Sequence, residues 1–327
     1  MKATARAHPI QGVVKYHGMR DPDRRLPYHD SISVCTAPSH TKTTVAFQAD
    51  LGEDEYVVDG ERLSGRGAER VRAVVDAVRE RAGIDGAVRL QSENSFPTNV
   101  GLGSSSSGFA AAAMALVEAA GLDLSRPEVS TIARLGSSSA ARAVTGGFSI
   151  LRAGLNDEDC RSHRIEGEAT AALEEDLRTV IGLVPAYKET ESAHAEAAES
   201  HMFDARLAHV HGQIAEGLDA IRAGDFGRTF ELAEHDSLSL AATTMTGPSG
   251  WVYWQPETLA IFETVRALRE EGTPVYFSTD TGATVYVNTT ADHAGAVEAA
   301  IAGLGVETRV WEVGGSAEVL GEDEALF

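Results

Sequence analysis

Short runs of alternating or β-branched residues dominate the beginning of the chain. The runs GVVKYHG, SISVCTA and TTVAFQA predict strands, and YVVDGERL predicts a hairpin whose turn is Asp59-Gly60. Later runs of the same kind are AVRLQS, TVIGLVPAY, PVYFST, ATVYVN and VETRVWEV. Strands are therefore expected in both halves of the chain.

Predicted helices lie between these runs, where apolar residues recur at helical spacing. The apolar face of one predicted helix consists of Val71, Val74, Val75 and Val78, and the helix ends before Gly83. A second face consists of Leu207, Val210, Ile214, Leu218 and Ile221. Further helices are predicted at FAAAAMALVEAAG, ETLAIFETVRALREEG and DHAGAVEAAIAGL. This mixture predicts an α/β sandwich with helices on one side of the sheets.

The length of 327 residues, of which 43% are hydrophobic, suits two domains, and we expect a boundary near residue 185, giving 1–185 and 186–327. No apolar run approaches the roughly 18–20 residues that span a bilayer, and the N-terminus has no apolar signal segment, so we expect a cytoplasmic protein. Cys35 and Cys160 do not form a closely spaced pair, so neither a disulfide nor a zinc site is expected.

The net charge of -21 makes nucleic acid and membrane surfaces unsuitable partners, because both are anionic. A small anionic substrate remains compatible, since local arginines and lysines can reverse the field inside one cleft. Only four lysines accompany 49 acidic residues, a surface that suits a high-salt cytoplasm where salt screens the repulsion. An ordinary acidic protein is the alternative.

The stretch NSFPTNVGLGSSSSGFAAAA, residues 94–113, combines glycines and serines at a predicted helix start. Unpaired N–H groups there bind phosphate, and glycines allow close approach. The candidate nucleotide-binding residues are Pro97, Gly101, Gly103, Ser104, Ser105 and Ser106. The stretch lacks the Gly-Lys-Ser/Thr of a Walker A loop and the distant acidic residue of a dinucleotide fingerprint. On spacing alone, a serine-rich N-cap of an ordinary helix fits equally well.

The same stretch resembles the ATP phosphate loop of the GHMP kinases. HPIQGVVKYHGMRD, LPYHDSISV, RLGSSSAARAVTGGF and FSTDTGATV resemble, in order, the blocks of the diphosphomevalonate decarboxylases within that superfamily. The resemblance implies an α+β GHMP kinase fold. It comprises an N-terminal domain like ribosomal protein S5 and a C-terminal ferredoxin-like domain, with the active site in the cleft between them. It also implies ATP and Mg²⁺ as cofactors and a homodimer.

The resemblance assigns roles to individual residues. Asp280 would accept or orient the proton of a tertiary hydroxyl, Arg142 would clamp the substrate carboxylate, and Lys15 would lie close to Asp280. Without the resemblance, the sequence would indicate only that Asp280 is an aspartate in a turn and that Lys15 is an exposed lysine on a strand.

Further positions match residues that the family uses for binding. Tyr16, Ser137 and Ser139 would contact the phosphate end of the substrate. Ser104 and Ser105 would contact the ATP phosphates, and Ser104 is also a candidate Mg²⁺ contact.

Two departures from the family blocks bear on the substrate. Met19 stands where the family has a second lysine, near the distal phosphate, and KETESAHAEAAES is acidic where the family is basic. Less positive charge near the distal phosphate indicates a substrate with one phosphate fewer than a diphosphate. We therefore expect ATP-dependent decarboxylation of 5-phosphomevalonate to isopentenyl phosphate. Diphosphomevalonate decarboxylation and a non-decarboxylating mevalonate 3-kinase are the alternatives.

Other classes of protein fit less well. Asp280-Thr281-Gly282 is the tripeptide of aspartic proteases, but that site needs two copies and the chain has one. A non-catalytic ATP-binding protein would be expected to lose Asp280, Lys15 and Arg142. His209 and His211 are two positions apart on a predicted helix, so they face different directions and are expected at the surface.

Overall fold

The computed structural model describes residues 2–48, 51–96, 102–186 and 194–327. The strands are β1 Lys2–Ala7, β2 Ile10–Val14, β3 Met19–Asp21, β4 Leu26–Pro27, β5 Ser31–Ala37, β6 Thr41–Gln48, β7 Glu55–Val58, β8 Glu61–Arg62, β9 Ala87–Asn94, β10 Phe148–Leu151, β11 Ser162–Arg164, β12 Leu177–Leu183, β13 Val275–Ser278, β14 Val285–Thr290, β15 Glu307–Val313 and β16 Glu318–Leu320. The helices are α1 Gly65–Ala82, α2 Ser104–Ala119, α3 Arg126–Gly136, α4 Ala140–Thr145, α5 Glu168–Asp176, α6 Phe203–Ala223, α7 Phe226–Met245, α8 Pro256–Glu270 and α9 Ala294–Ala302.

A six-stranded sheet in the order β16-β1-β6-β9-β7-β8 forms the first layer. Asp59 and Gly60 both have positive φ, 50° and 82°, as a two-residue turn between twisted strands requires, so the predicted hairpin is confirmed. The predicted valine face of α1 is buried, and Gly83 ends the helix in the left-handed conformation. Helix α2 packs on β1 and β6, where its alanines allow close contact.

The second sheet has the order β11-β10-β5-β15-β12-β14-β13, and β2 also pairs with β5. It joins strands from both halves of the chain, because Val313 of β15 pairs with Thr36 of β5. The domain boundary near residue 185 stays a prediction. It falls just after β12, which lies inside this continuous sheet.

Helices α6 and α7 cover one part of the second sheet, and α8 and α9 cover another. Helix α6 buries Val210, Ile214, Leu218 and Ile221 against the strand region around β2 and β5. Helix α7 contacts both β2 and β13. The segments that follow these two strands therefore lie near the same helix.

No helix within the described ranges is long and apolar enough to cross a membrane.

Candidate active site

Lys15 follows the end of β2, and Asp280 follows the end of β13. The main-chain N–H of Gly12 donates a hydrogen bond to Asp280 Oδ1 at 3.3 Å. A Cβ atom at Gly12 would lie 2.5 Å from Lys15 Cγ and 3.0 Å from Asp280 Oδ1. The structure therefore brings the lysine and the aspartate to the same side of β2, although 265 positions separate them in sequence.

The Lys15 ammonium is buried among polar partners. Its Nζ lies 3.4 Å from Asp236 Oδ2 and donates to Ser237 Oγ at 3.1 Å. Burial lowers the pKa of Lys15 below its usual value, while the negative charges of Asp236 and Asp280 act in the opposite direction. The ordinary reading of Lys15 as an exposed strand lysine is wrong, since only 6% of it is exposed.

Asp236 and Arg206 are site residues that sequence reasoning missed. Asp236 is completely buried and accepts hydrogen bonds from the Lys15 main-chain N–H at 2.9 Å and from Arg206 Nη2 at 2.8 Å. Burial acts to raise the pKa of Asp236, but Arg206 and Lys15 outweigh it and hold that pKa below its usual value. The sequence does contain a sign of a buried polar site on α7. Asp236 and Ser237 interrupt the apolar face that Phe230, Ala233 and Leu240 form.

Arg142 extends from α4 into the same region and is 3% exposed. Its Nε donates to Ser33 Oγ at 2.9 Å, its Nη1 donates to Ser31 Oγ, and its guanidinium lies over the Tyr16 ring at 5.5 Å. Burial lowers the pKa of Arg142, opposed by Tyr16 and Asp280. Among the residues that the structure describes, no carboxylate lies within ion-pair distance, and Nη2 makes no hydrogen bond. A buried cation of this kind requires an anion.

Tyr16, Ser137 and Ser139 lie near this arginine. The hydroxyls of Ser137 and Ser139 are 2.8 Å apart, and Tyr16 stacks on His194 with ring centroids 4.9 Å apart. Burial raises the pKa of Tyr16, while Arg142 acts to lower it.

The loop that carries the two serines contacts the segment around Met19. Ser138, between the two serines, donates to the main-chain oxygen of Arg25 at 2.9 Å and lies 4.0 Å from the Met19 sulfur. Met19 is thus a neighbour of the predicted phosphate end of the substrate.

Two further arginines flank that loop, and sequence reasoning missed both. Arg25 Nε donates to the Leu135 carbonyl at 2.9 Å, and Arg70 Nε donates to the Gly136 carbonyl at 2.8 Å. Both guanidinium groups act to lower the pKa of Tyr16. Cations therefore remain around the loop even though Met19 carries no charge.

Of the Gly/Ser stretch, residues 94–96 and 102–113 lie within the described ranges, and Ser104 begins α2. Pro97 and Gly101 lie outside the described residues. Gly103 has a φ of 75° and precedes the first residue of α2.

The serines that begin α2 differ in their surroundings. Ser106 Oγ donates to the Gly103 carbonyl at 2.6 Å and accepts from the Ile10 N–H at 3.2 Å, so it fastens the helix start to β2. Ser104 is half-buried and Ser105 is exposed, which leaves these two hydroxyls as the better candidates for nucleotide contacts.

In the part of the chain that the structure describes, no three His, Cys, Asp or Glu side chains are grouped so that they could hold a metal ion. His209 and His211 are exposed on α6, as predicted.

Comparison with known proteins gives matches of three kinds: a family model, a relative and solved structures. Residues 7–162 match the model of the diphosphomevalonate decarboxylase-like N-terminal domain. The phosphomevalonate decarboxylase of Haloferax volcanii is 71% identical over 328 residues, which cover 100% of both chains. The mevalonate diphosphate decarboxylase of Enterococcus faecalis has a TM-score of 0.91 and 29% identity over 98% of this chain and 99% of that one. A solved structure described as MDDEF in complex with MVAPP, AMPPCP and magnesium has the same TM-score, the same identity and the same coverage of both chains.

Proposed function

The chain belongs to the diphosphomevalonate decarboxylase family of the GHMP kinase superfamily, with the α+β fold that the sequence predicted, and we propose that its substrate is 5-phosphomevalonate. It is an ATP-dependent decarboxylase of the mevalonate pathway. The proposed products are isopentenyl phosphate, CO₂, ADP and phosphate. The position of Met19 beside Ser138 carries the choice of substrate, since an apolar side chain lies next to the loop that is predicted to bind the phosphate end. The 71% identity to a phosphomevalonate decarboxylase supports the same choice.

The guanidinium of Arg142, which has no carboxylate within ion-pair distance among the described residues, is suited to the carboxylate that leaves as CO₂. A planar donor pair fixes the plane of a carboxylate, and the hydrogen bonds from Arg142 to Ser31 and Ser33 hold the guanidinium in turn. The carboxylate would also supply the negative charge that this buried cation needs. This observation supports a carboxylate-bearing substrate rather than a purely phosphorylated one.

Asp280 is suited to the first chemical step, in which the tertiary hydroxyl oxygen attacks the γ-phosphorus of ATP and ADP leaves. Asp280 would accept or orient the hydroxyl proton, and the Lys15 ammonium would offset the charge that develops on the phosphoryl oxygens. Magnesium bound with ATP would neutralise phosphate charge, with Ser104 as the candidate protein contact.

The second step needs no further proton acceptor from the protein. The tertiary carbon–oxygen bond breaks as phosphate leaves, and the electron pair of the carbon–carboxyl bond forms the alkene as CO₂ departs. Positive charge develops at the tertiary carbon. A site that excludes water and holds the carboxylate in one orientation favours this outcome over hydrolysis.

The deciding experiment measures ATP-dependent CO₂ release with 5-phosphomevalonate and 5-diphosphomevalonate side by side. We expect the monophosphate to have the higher kcat/KM, and a strong preference for the diphosphate would overturn the proposal. ADP formation with a phosphorylated product but no CO₂ would favour a 3-kinase.

A pair of variants at Met19 tests the observation that carries the proposal. Met19→Lys adds a charge near the phosphate end and should raise kcat/KM for the diphosphate about tenfold. The matched control Met19→Leu keeps an apolar side chain and should leave the preference unchanged. Equal behaviour of the two variants would contradict a role for charge at this position.

We further propose a homodimer, which the family resemblance implies, and a cytoplasmic location, which the sequence led us to expect. Light scattering at high salt would measure the first, and fractionation of cells would measure the second.

A further inference from the structure

Asp236 and Ser237 are adjacent residues on the buried face of α7, and both contact the segment after β2. Both side chains are completely buried. Asp236 accepts from the Lys15 main-chain N–H at 2.9 Å and lies 3.4 Å from its ammonium. One carboxylate therefore holds Lys15 at two points, which restricts both the strand end and the side chain.

Arg206 of α6 completes this arrangement. Its Nη2 donates to Asp236 Oδ1 at 2.8 Å and to the Lys15 carbonyl at 2.6 Å. The two cations thus approach the same carboxylate from different elements. Since like charges in a buried site repel strongly, the carboxylate between Lys15 and Arg206 offsets the repulsion between the two.

Ser237 joins this group to the strand that carries Asp280. Its hydroxyl accepts from Lys15 Nζ at 3.1 Å and from the Thr279 N–H at 3.1 Å, and it donates to the Ala233 carbonyl at 2.7 Å. Thr279 immediately precedes Asp280. One hydroxyl on α7 therefore contacts both the lysine and the strand end that carries the aspartate.

We propose that Asp236 and Ser237 are positioning residues for the phosphoryl-transfer step: Asp236 keeps the Lys15 ammonium charged and oriented beside Asp280, and Ser237 fixes its separation from the strand end that carries Asp280. The proposal deepens the proposed function and rests on it. Neither residue needs to touch the substrate.

The pH at which Lys15 loses its proton depends on the charged groups that face it. These are Arg206 from α6, Asp236 from α7 and Asp280 after β13. Asp236 acts to raise the pKa of Lys15, whereas burial and Arg206 act to lower it. Loss of the Asp236 charge should lower this pKa further. Lys15 would then lose its proton at a lower pH, and activity that needs the ammonium would decline at a lower pH.

Asp236→Asn tests this directly, because the amide keeps the shape and an acceptor but loses the charge. Glu234→Gln is the matched control. Glu234 is a buried carboxylate on the same helix that pairs with Arg269 at 2.9 Å and accepts from the N–H of Phe277 in β13 at 3.3 Å. It makes no contact with Lys15. A purely structural role for Asp236 predicts the same behaviour for both variants.

For Asp236→Asn we expect kcat to fall at least tenfold and KM to change less than threefold. In the pH profile of kcat, the basic limb should move about one pH unit or more towards lower pH. For Glu234→Gln, the basic limb should stay at its wild-type position. An unshifted limb in Asp236→Asn, or the same shift in both variants, would overturn the role of Asp236.

Ser237→Ala provides a second variant that removes a small buried group and is expected to fold. It should lower kcat about tenfold without shifting the basic limb, because the charges around Lys15 are unchanged. Retention of kcat within twofold would overturn the role of Ser237.

A measurement that needs no turnover separates this inference from the proposed function. The chain has only four lysines, so isotope-labelled lysine gives a simple NMR titration in which Lys15 is the signal missing from Lys15→Arg. The titration midpoint of Lys15 should fall in Asp236→Asn and stay in place in Glu234→Gln. An unchanged midpoint in Asp236→Asn would reject the inference, whereas absence of CO₂ release by the wild-type protein would reject the proposed function alone.

Discussion

Replacing Arg142 by lysine keeps a positive charge but removes the planar guanidinium. Separate nitrogens of the guanidinium donate to Ser33 Oγ at 2.9 Å and to Ser31 Oγ, whereas the single nitrogen of an ammonium would have to serve both hydroxyls and the substrate. The ring contact with Tyr16 is lost as well. We therefore expect a weakened and less oriented grip on the substrate carboxylate.

The size of the effect follows from the number of bonds lost. A hydrogen bond involving a charged group contributes about 1.5–3 kcal/mol, and a point charge replaces one bond of a bidentate pair. Since about 1.4 kcal/mol corresponds to a tenfold change, kcat/KM should fall about 10- to 150-fold. The hydroxyls of Ser31 and Ser33 are completely buried, so leaving either without a partner should cost a further ~1–3 kcal/mol of stability.

The assay is ADP and CO₂ release from 5-phosphomevalonate, measured together with urea unfolding. Arg79→Lys is the control, because Arg79 also donates to a carboxylate and a carbonyl, those of Asp54 and Gly86, but in the first layer away from the site. It should lose stability and retain kcat/KM. The reasoning about Arg142 is refuted if Arg142→Lys stays within twofold of the wild-type kcat/KM, or if Arg79→Lys loses as much activity.

Three further outcomes are expected. Asp280→Asn should lower kcat about 10²–10⁴-fold while calorimetry shows unchanged binding of a non-hydrolysable ATP analogue, and near-normal turnover would contradict its assigned role. Ser106→Ala leaves the buried Ile10 N–H unpaired and should cost about 1–3 kcal/mol in urea unfolding, whereas Ser105→Ala should cost almost nothing. Burial lowers the pKa of His29 to about 4 from 6.5, so the unfolded chain binds the additional proton between these values and stability falls as pH drops below 6.5. The wild type should therefore lose about 2 kcal/mol more than His29→Asn between pH 7.5 and 5, and parallel stability curves would contradict this.

Local structure was predictable where it depends on neighbouring residues alone. The Asp59-Gly60 turn and the left-handed end of α1 at Gly83 follow from which residues tolerate positive φ. The buried face of α6 follows from the 3.6-residue period. These features needed no knowledge of the rest of the chain.

The family blocks named Asp280, Lys15 and Arg142 as a set, and the structure places them within one electrostatic neighbourhood. Their catalytic roles remain predictions. No motif or periodicity in the sequence links Asp236 or Arg206 to Lys15, and sequence reasoning therefore assigned no function to them.

The sequence by itself determined helices α1, α2, α6, α8 and α9, the Asp59-Gly60 turn and the short motifs, because each depends on residues within a few positions of one another. Only the tertiary structure decided that Asp236 contacts Lys15, since 221 positions separate them and α7 must first pack against β2 and β13. The same packing joins Ser237 to the strand end before Asp280. Burial then changes the chemistry, because a charge removed from water has an energy set by its partners, and no local pattern specifies those partners.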